Sequence, residues 1–132
     1  MKVNMIDHIS TDKAPKAVGP YSQAVVADNS NNLIFTSGQI PVNPQTDKIP
    51  RTIEEQASQA MENLKNLLNA SESSMDKIIK TTIFIKNMDD FSKVNDVYAT
   101  FFKEPYPARS CVEVSRLPKD VLIEIEAIAE KY

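Results

Sequence analysis

Two runs near the C-terminus constrain the fold most: Pro107-Ala108-Arg109-Ser110-Cys111-Val112-Glu113-Val114 and Val121-Leu122-Ile123-Glu124-Ile125-Glu126-Ala127-Ile128-Ala129, separated by a turn signal, Leu117-Pro118-Lys119-Asp120. Both are rich in β-branched and apolar residues, so they read as two strands. Side chains alternate along a strand, which puts Val121, Ile123, Ile125, Ala127 and Ala129 on one face and Leu122, Glu124, Glu126 and Ile128 on the other. Carboxylates between Leu122 and Ile128 are unusual for a plain solvent face. Arg109, Cys111 and Glu113 share a face of the first run, so a guanidinium, a thiol and carboxylates are expected on neighbouring strands. If residues 117–120 close a hairpin, Glu113 opposes Glu124. Arg109 then lies roughly 13 Å along the ladder from Glu124. In that register Glu126, opposite Cys111, is the nearer carboxylate. Either the register slips or a neighbouring chain completes the pocket.

The rest of the chain supplies what those strands pack against. Up to residue 22 it is polar and punctuated by Ala14-Pro15 and Gly19-Pro20, which marks a loop, with a short strand over residues 5–9. Residues 23–27 and 33–37 read as strands, joined by Asp28-Asn29-Ser30-Asn31-Asn32, because Asn tolerates the left-handed conformation that hairpin turns need. Thr52 with Glu55 forms a capping box, and Ile53, Ala57, Ala60, Met61, Leu64, Leu67 and Leu68 recur at helical spacing. That stripe is expected to pack on the sheet rather than to bind a partner. Residues 71–74 break the helix and residues 78–85 form a β-branched strand. Asn87 or Asp89 is expected to cap a second helix that turns Phe91, Val94, Tyr98, Phe101 and Phe102 inward, before Pro105 and Pro107 stop it. The order β-β-α-β-α-β-β, with an extra N-terminal strand, predicts an α+β fold: a mixed sheet with two helices packed on one face. No repeat or linker divides it, so residues 1–132 are expected to form a single domain.

Composition narrows the function. The net charge is −3, the pI about 5.2, and no basic run occurs, which argues against a nucleic-acid or anionic-membrane surface. The first ten residues lack the apolar stretch of a signal peptide and no segment has the length of a membrane span, so a cytoplasmic protein is expected. A lone Cys111 gives no internal disulfide, and one Cys with one His cannot build an ordinary zinc site. With only Gly19 and Gly38, no glycine-rich phosphate loop exists.

Each candidate for chemistry has a structural alternative. Arg109 presents a planar fork that meets a carboxylate bidentately, or else snorkels at a strand end. Arg116, beside the turn, is expected to be solvated. Glu124 among apolar neighbours would have a raised pKa and could activate a water, or else pairs with Lys119 or Lys131. Cys111 lacks a base, since the single His is His8, and reads as a small buried hydrophobe. Tyr21 follows Gly19-Pro20 as a lid or packing residue. Ser37 and Gly38 end a strand, where Gly38 lets backbone approach a ligand closely. Asn95 sits on the apolar stripe of the second helix and must find partners, most simply by tying down a nearby loop.

Residues 107–129 resemble the signature of the RidA/YjgF reactive-intermediate deaminases. Gly19-Pro20-Tyr21-Ser22-Gln23, Ile34-Phe35-Thr36-Ser37-Gly38-Gln39-Ile40-Pro41 and Phe91-Ser92-Lys93-Val94-Asn95-Asp96-Val97-Tyr98 are similar to the family's other blocks, in the family's order. Relatives usually carry Gly in the 28–32 turn, where this chain has Asn. The resemblance implies a chorismate-mutase-like domain forming a trimeric barrel, a homotrimer with clefts at subunit interfaces. It implies hydrolytic deamination of 2-iminobutanoate and 2-iminopropanoate to 2-oxo acids and ammonia with no cofactor, while the charge balance leads us to expect no nucleic acid and no membrane as partners. Arg109 would hold the substrate carboxylate, Glu124 a water, and Tyr21, Ser37, Gly38, Asn95 and Cys111 would line the cleft. The alternatives are a non-catalytic binding module for 2-oxo acids and, against the acidic charge balance, an endoribonuclease or translation inhibitor.

Overall fold

The computed structural model describes residues 6–19, 21–27 and 32–132. In chain order it contains β1 (Ile6–Ile9), β2 (Ala24–Ala27), β3 (Leu33–Thr36), α1 (Ile53–Ala70), β4 (Ile78–Ile85), α2 (Phe91–Ala99), β5 (Ala108–Glu113) and β6 (Ile123–Glu130). Among the described residues the strands form one six-stranded sheet, ordered β1-β2-β3-β6-β4-β5. Neighbours are antiparallel except β4 and β5, whose parallel pairing requires the crossover that α2 supplies. The expected α+β sheet with two helices is therefore present.

The capping box expected at the head of α1 forms in part. The Glu55 N–H donates to Thr52 Oγ1 at 3.1 Å, and the Thr52 hydroxyl in turn donates to the Glu55 carboxylate at 2.9 Å. The whole predicted stripe of α1, from Ile53 to Leu68, is buried against Ile83, Ile85, Ile123, Ile125, Ala127 and Ala129 of the sheet. Ser71 closes the helix. Asn32 adopts a left-handed φ of 54°, as turn chemistry requires, while Asn31 and the three residues before it lie outside the described residues.

Two expectations need correction. Asn87 caps a separate 3₁₀ turn, Met88–Asp90, by accepting from the Asp89 N–H at 2.9 Å, and α2 begins only at Phe91. That helix ends at Ala99, so Phe101 and Phe102 pack on the core from the loop beyond it. The larger correction concerns the two C-terminal strands. β5 and β6 do not form a hairpin, because β4 lies between them and pairs with both. Alternation along a strand fixes which side chains share a face, and says nothing about which strand lies alongside.

The ladders give the true register. Arg109 lies opposite Thr81, which lies opposite Ala127, whereas Val112, Phe84 and Glu124 make a second row. Paired residues project to one face, so Arg109 stands on the face the helices cover. Glu124 stands on the other, with Glu126 and Ile128. Among the described residues no helix covers that second face, and Phe35 and Val112 on it are 41% and 43% exposed.

Candidate active site

Arg109 is held by α2. Its Nη1 donates to Asn95 Oδ1 at 2.8 Å, and its guanidinium carbon lies 4.9 Å from the Tyr98 ring centre and 5.4 Å from that of Phe91. Phe91, Asn95 and Tyr98 follow one another by four and three residues and so share one face of the helix. Asn95 thus orients the guanidinium instead of tying down a loop. Among the described residues no Asp or Glu lies within ion-pair distance of Arg109, whose side chain is half-buried. A half-buried cation fixed by a neutral amide and two aromatic rings has the chemistry to receive an anion.

Cys111 sits two residues on, on the same face, half-buried, and burial pushes its thiol up, which is the reverse of an activated nucleophile. Glu113, the third residue of that face, is used structurally: its carboxylate accepts from the Met88 N–H at 2.7 Å. Arg116 forms an exposed pair with Asp120 at 2.8 Å, the solvated strand-end role expected of it.

The carboxylate half of the site is built at the end of β3. The Gln39 N–H donates to the Ile125 carbonyl at 2.7 Å and the Ile125 N–H returns a bond to the Gln39 carbonyl at 3.1 Å, which lays Gly38 alongside Glu124. A Cβ on Gly38 would stand 2.7 Å from Glu124 Cδ, closer than real Cβ atoms approach, so the carboxylate keeps this pose only beside a glycine. Burial raises the Glu124 pKa above its ordinary 4.5, and the charge of Glu126 on the same strand face raises it further. Replacing Glu126 by Gln is expected to move the Glu124 titration, followed by carboxyl NMR, to lower pH without restoring the solvent value. An unmoved titration would mean burial is the whole cause.

Ser37 and Tyr21 frame this half. The Ser37 hydroxyl donates to the Ser22 carbonyl at 2.6 Å, fixing the segment that carries Tyr21, itself 49% exposed. Tyr21 and Gly38 line a cleft of about 640 Å³, to which Lys16 and Lys119 also contribute, and neither Arg109 nor Glu124 reaches its lining. The two functional halves are therefore apart within one chain. Counting two strand spacings across and three residues along, their Cα atoms are about 14 Å apart, on opposite faces of the sheet.

Several supporting residues escaped the sequence reading. Asn63 Nδ2 donates to the Ile40 and Val42 carbonyls at 2.9 Å each, and Gln56 accepts from the Leu122 N–H at 2.8 Å. These buried amides of α1 clamp the backbone just after Gly38 and just before Glu124. The available signal was a polar residue three positions after Ile53 and after Ala60, on the stripe itself. Thr81, fully buried and sharing a 2.9 Å hydrogen bond with the Tyr98 hydroxyl, gave no such signal.

A mixed sheet covered by helices on one side, with an oriented guanidinium on that side and a desolvated carboxylate on the other, defines an α+β domain equipped to handle small carboxylic acids. Comparison with known proteins is specific. The family described as Endoribonuclease L-PSP matches residues 11–131. The 2-iminobutanoate/2-iminopropanoate deaminase of Escherichia coli K12 is 52% identical over 124 residues, covering 92% of this chain and 94% of its own. A RutC family protein of Pyrococcus horikoshii is 52% identical over 128 residues, with 96% and 99% covered. The crystal structure of E. coli TdcF with bound serine superposes with a TM-score of 0.88 at 49% identity, over 96% of this chain and 99% of that one. The chain belongs to this family, the RidA/YjgF proteins.

Proposed function

We propose that this protein hydrolyses 2-imino acids such as 2-iminobutanoate and 2-iminopropanoate to 2-oxo acids and ammonia, in a pocket assembled between two copies of the chain. The observation that carries the reading is Arg109, a half-buried guanidinium held in place with no carboxylate paired to it among the described residues. The substrate carboxylate supplies the missing anion, in a bidentate pair. The E. coli relative's deaminase name points the same way.

The chemistry needs little else. A protonated imine is already electrophilic at carbon. Glu124, its pKa raised by burial, takes a proton from a water as that water's oxygen bonds to the imine carbon. Glu124 returns that proton to the amino nitrogen of the resulting carbinolamine, and the regenerated carboxylate takes the hydroxyl proton as the C–N bond breaks, ammonia leaves and the carbonyl forms. Gly38 leaves room for the carboxylate, and Tyr21, Ser37, Asn95 and Cys111 bound or brace the cleft. Nothing in this sequence requires a cofactor, because the protein supplies position and proton transfer.

Placing Arg109 and Glu124 on opposite faces requires that one molecule's Arg109 meet another's Glu124. The uncovered face, with Phe35, Val112 and the flanking Phe84 and Ile128, supports self-association. A homotrimer that turns these faces inward into a barrel satisfies both demands. Light scattering is expected to return three times the chain mass of 14.8 kDa, and a monomeric mass would sink the shared pocket.

The activity test generates 2-imino acids in situ with a serine/threonine dehydratase and follows pyruvate and 2-oxobutanoate release against spontaneous hydrolysis. Wild type no faster than buffer, yet binding 2-oxo acids through Arg109, would make the protein a binding module. A nuclease activity surviving Arg109→Ala would favour the family's ribonuclease description, although the acidic chain carries no run of basic residues.

A further inference from the structure

We propose that Tyr98 and Phe91 are positioning residues that hold the Arg109 guanidinium in its carboxylate-binding pose before substrate arrives. This rests on the reading above, in which Arg109 receives the substrate carboxylate. An arginine side chain has many rotamers, and freezing one on binding costs affinity unless the protein has already frozen it. Here three contacts along one face of α2 do so: the Phe91 ring, the Asn95 amide and the Tyr98 ring.

Tyr98 is the fixed end of that row. It is buried, it packs at 4.6 Å between ring centres against Phe102, and its hydroxyl shares a 2.9 Å hydrogen bond with Thr81. Thr81 is the ladder partner of Arg109 itself. The guanidinium thus rests on a ring pinned to the strand row from which the arginine springs, which closes a loop of contacts. Asn95 Oδ1 accepts a hydrogen bond from Nη1, so the remaining N–H edge is presented in one orientation to the incoming carboxylate. A lysine could not exploit this arrangement, since its ammonium has no planar edge to orient.

The test compares wild type, Tyr98→Phe, Tyr98→Leu and Phe91→Leu as assembled full-length protein, by steady-state hydrolysis of in situ 2-iminobutanoate and by calorimetric binding of 2-oxobutanoate. Removing the Tyr98 ring is expected to raise KM and the 2-oxobutanoate Kd together by about five- to tenfold, the cost of ordering one freed side chain. Since Tyr98 touches the guanidinium and not the substrate, and the carboxylate contact it supports is made alike in the ground and transition states, kcat should stay within about twofold. Tyr98→Phe, which keeps the ring, should recover most of the affinity, and Phe91→Leu, at the helix start, provides the same reading if Tyr98→Leu does not fold. A folded Leu variant with unchanged KM overturns the proposal, as does a fall in kcat at constant KM. Failure of the underlying reading is separately visible: Arg109→Ala would then bind 2-oxobutanoate as tightly as wild type, and this proposal would fall with it.

Discussion

Arg109→Ala is expected to lower kcat/KM for 2-imino acids by about 10³-fold, through loss of two charge-assisted hydrogen bonds at about 1.5–3 kcal/mol each. The measurement is the in situ dehydratase assay, with 2-oxobutanoate binding followed in parallel. Both readouts should collapse together, because the same fork holds substrate and product. Arg109→Lys should rescue little, since an ammonium cannot meet both carboxylate oxygens in a plane. The fold should survive, because Arg109 lies near the start of the edge strand β5 and buries only part of its side chain. A variant that retains half of the wild-type rate would remove Arg109 from the site and with it the reason for assigning a carboxylate substrate.

Glu124→Ala is expected to act on the other kinetic constant: kcat falls by about 10²- to 10³-fold, the usual worth of a positioned general base, while 2-oxobutanoate still binds. Gly38→Ala should move activity in the same direction by pushing the carboxylate aside, since a Cβ there would stand 2.7 Å from Glu124 Cδ. The acid limb of the pH profile follows from the raised pKa. A base works only when deprotonated, so kcat should rise with pH through a window displaced above the ordinary 4.5, and Glu126→Gln should shift that limb down. Stability carries the opposite slope. The folded chain holds this proton more tightly than the unfolded chain, so Glu124 favours folding below 4.5, and that contribution is lost as pH rises through the folded pKa. An acid limb that persists unchanged in Glu124→Ala would assign the titration to another group.

The elements of this fold were legible because each rests on local chemistry. The α1 stripe from Ile53 to Leu68 has helical period, the run from Ile78 to Ile85 is β-branched except at Lys80 and Phe84, and Ile123, Ile125 and Ala127 alternate with Glu124 and Glu126. Those patterns also set faces correctly, with Arg109 and Cys111 together and Glu124 apart from the core. The candidate residues were legible for a different reason: a guanidinium and a carboxylate inside apolar strands are costly and call for a purpose. What went wrong was adjacency. The Pro-containing turn signal at residues 117–120 suggests a hairpin, but sequence period carries no information about which strand a neighbour will be.

Local sequence is enough for the α+β class, the helix and strand identities and the residue types that are candidates for chemistry, since periodicity, capping and turn preferences are local. Tertiary structure alone decided that β4 enters between β5 and β6, and so put Arg109 and Glu124 on opposite faces of the sheet. It alone placed Asn95, Tyr98 and Phe91 around the guanidinium and Gly38 against the carboxylate. Each of these is a contact between residues distant in the chain, fixed by how the helices and strands pack together rather than by the residues on either side.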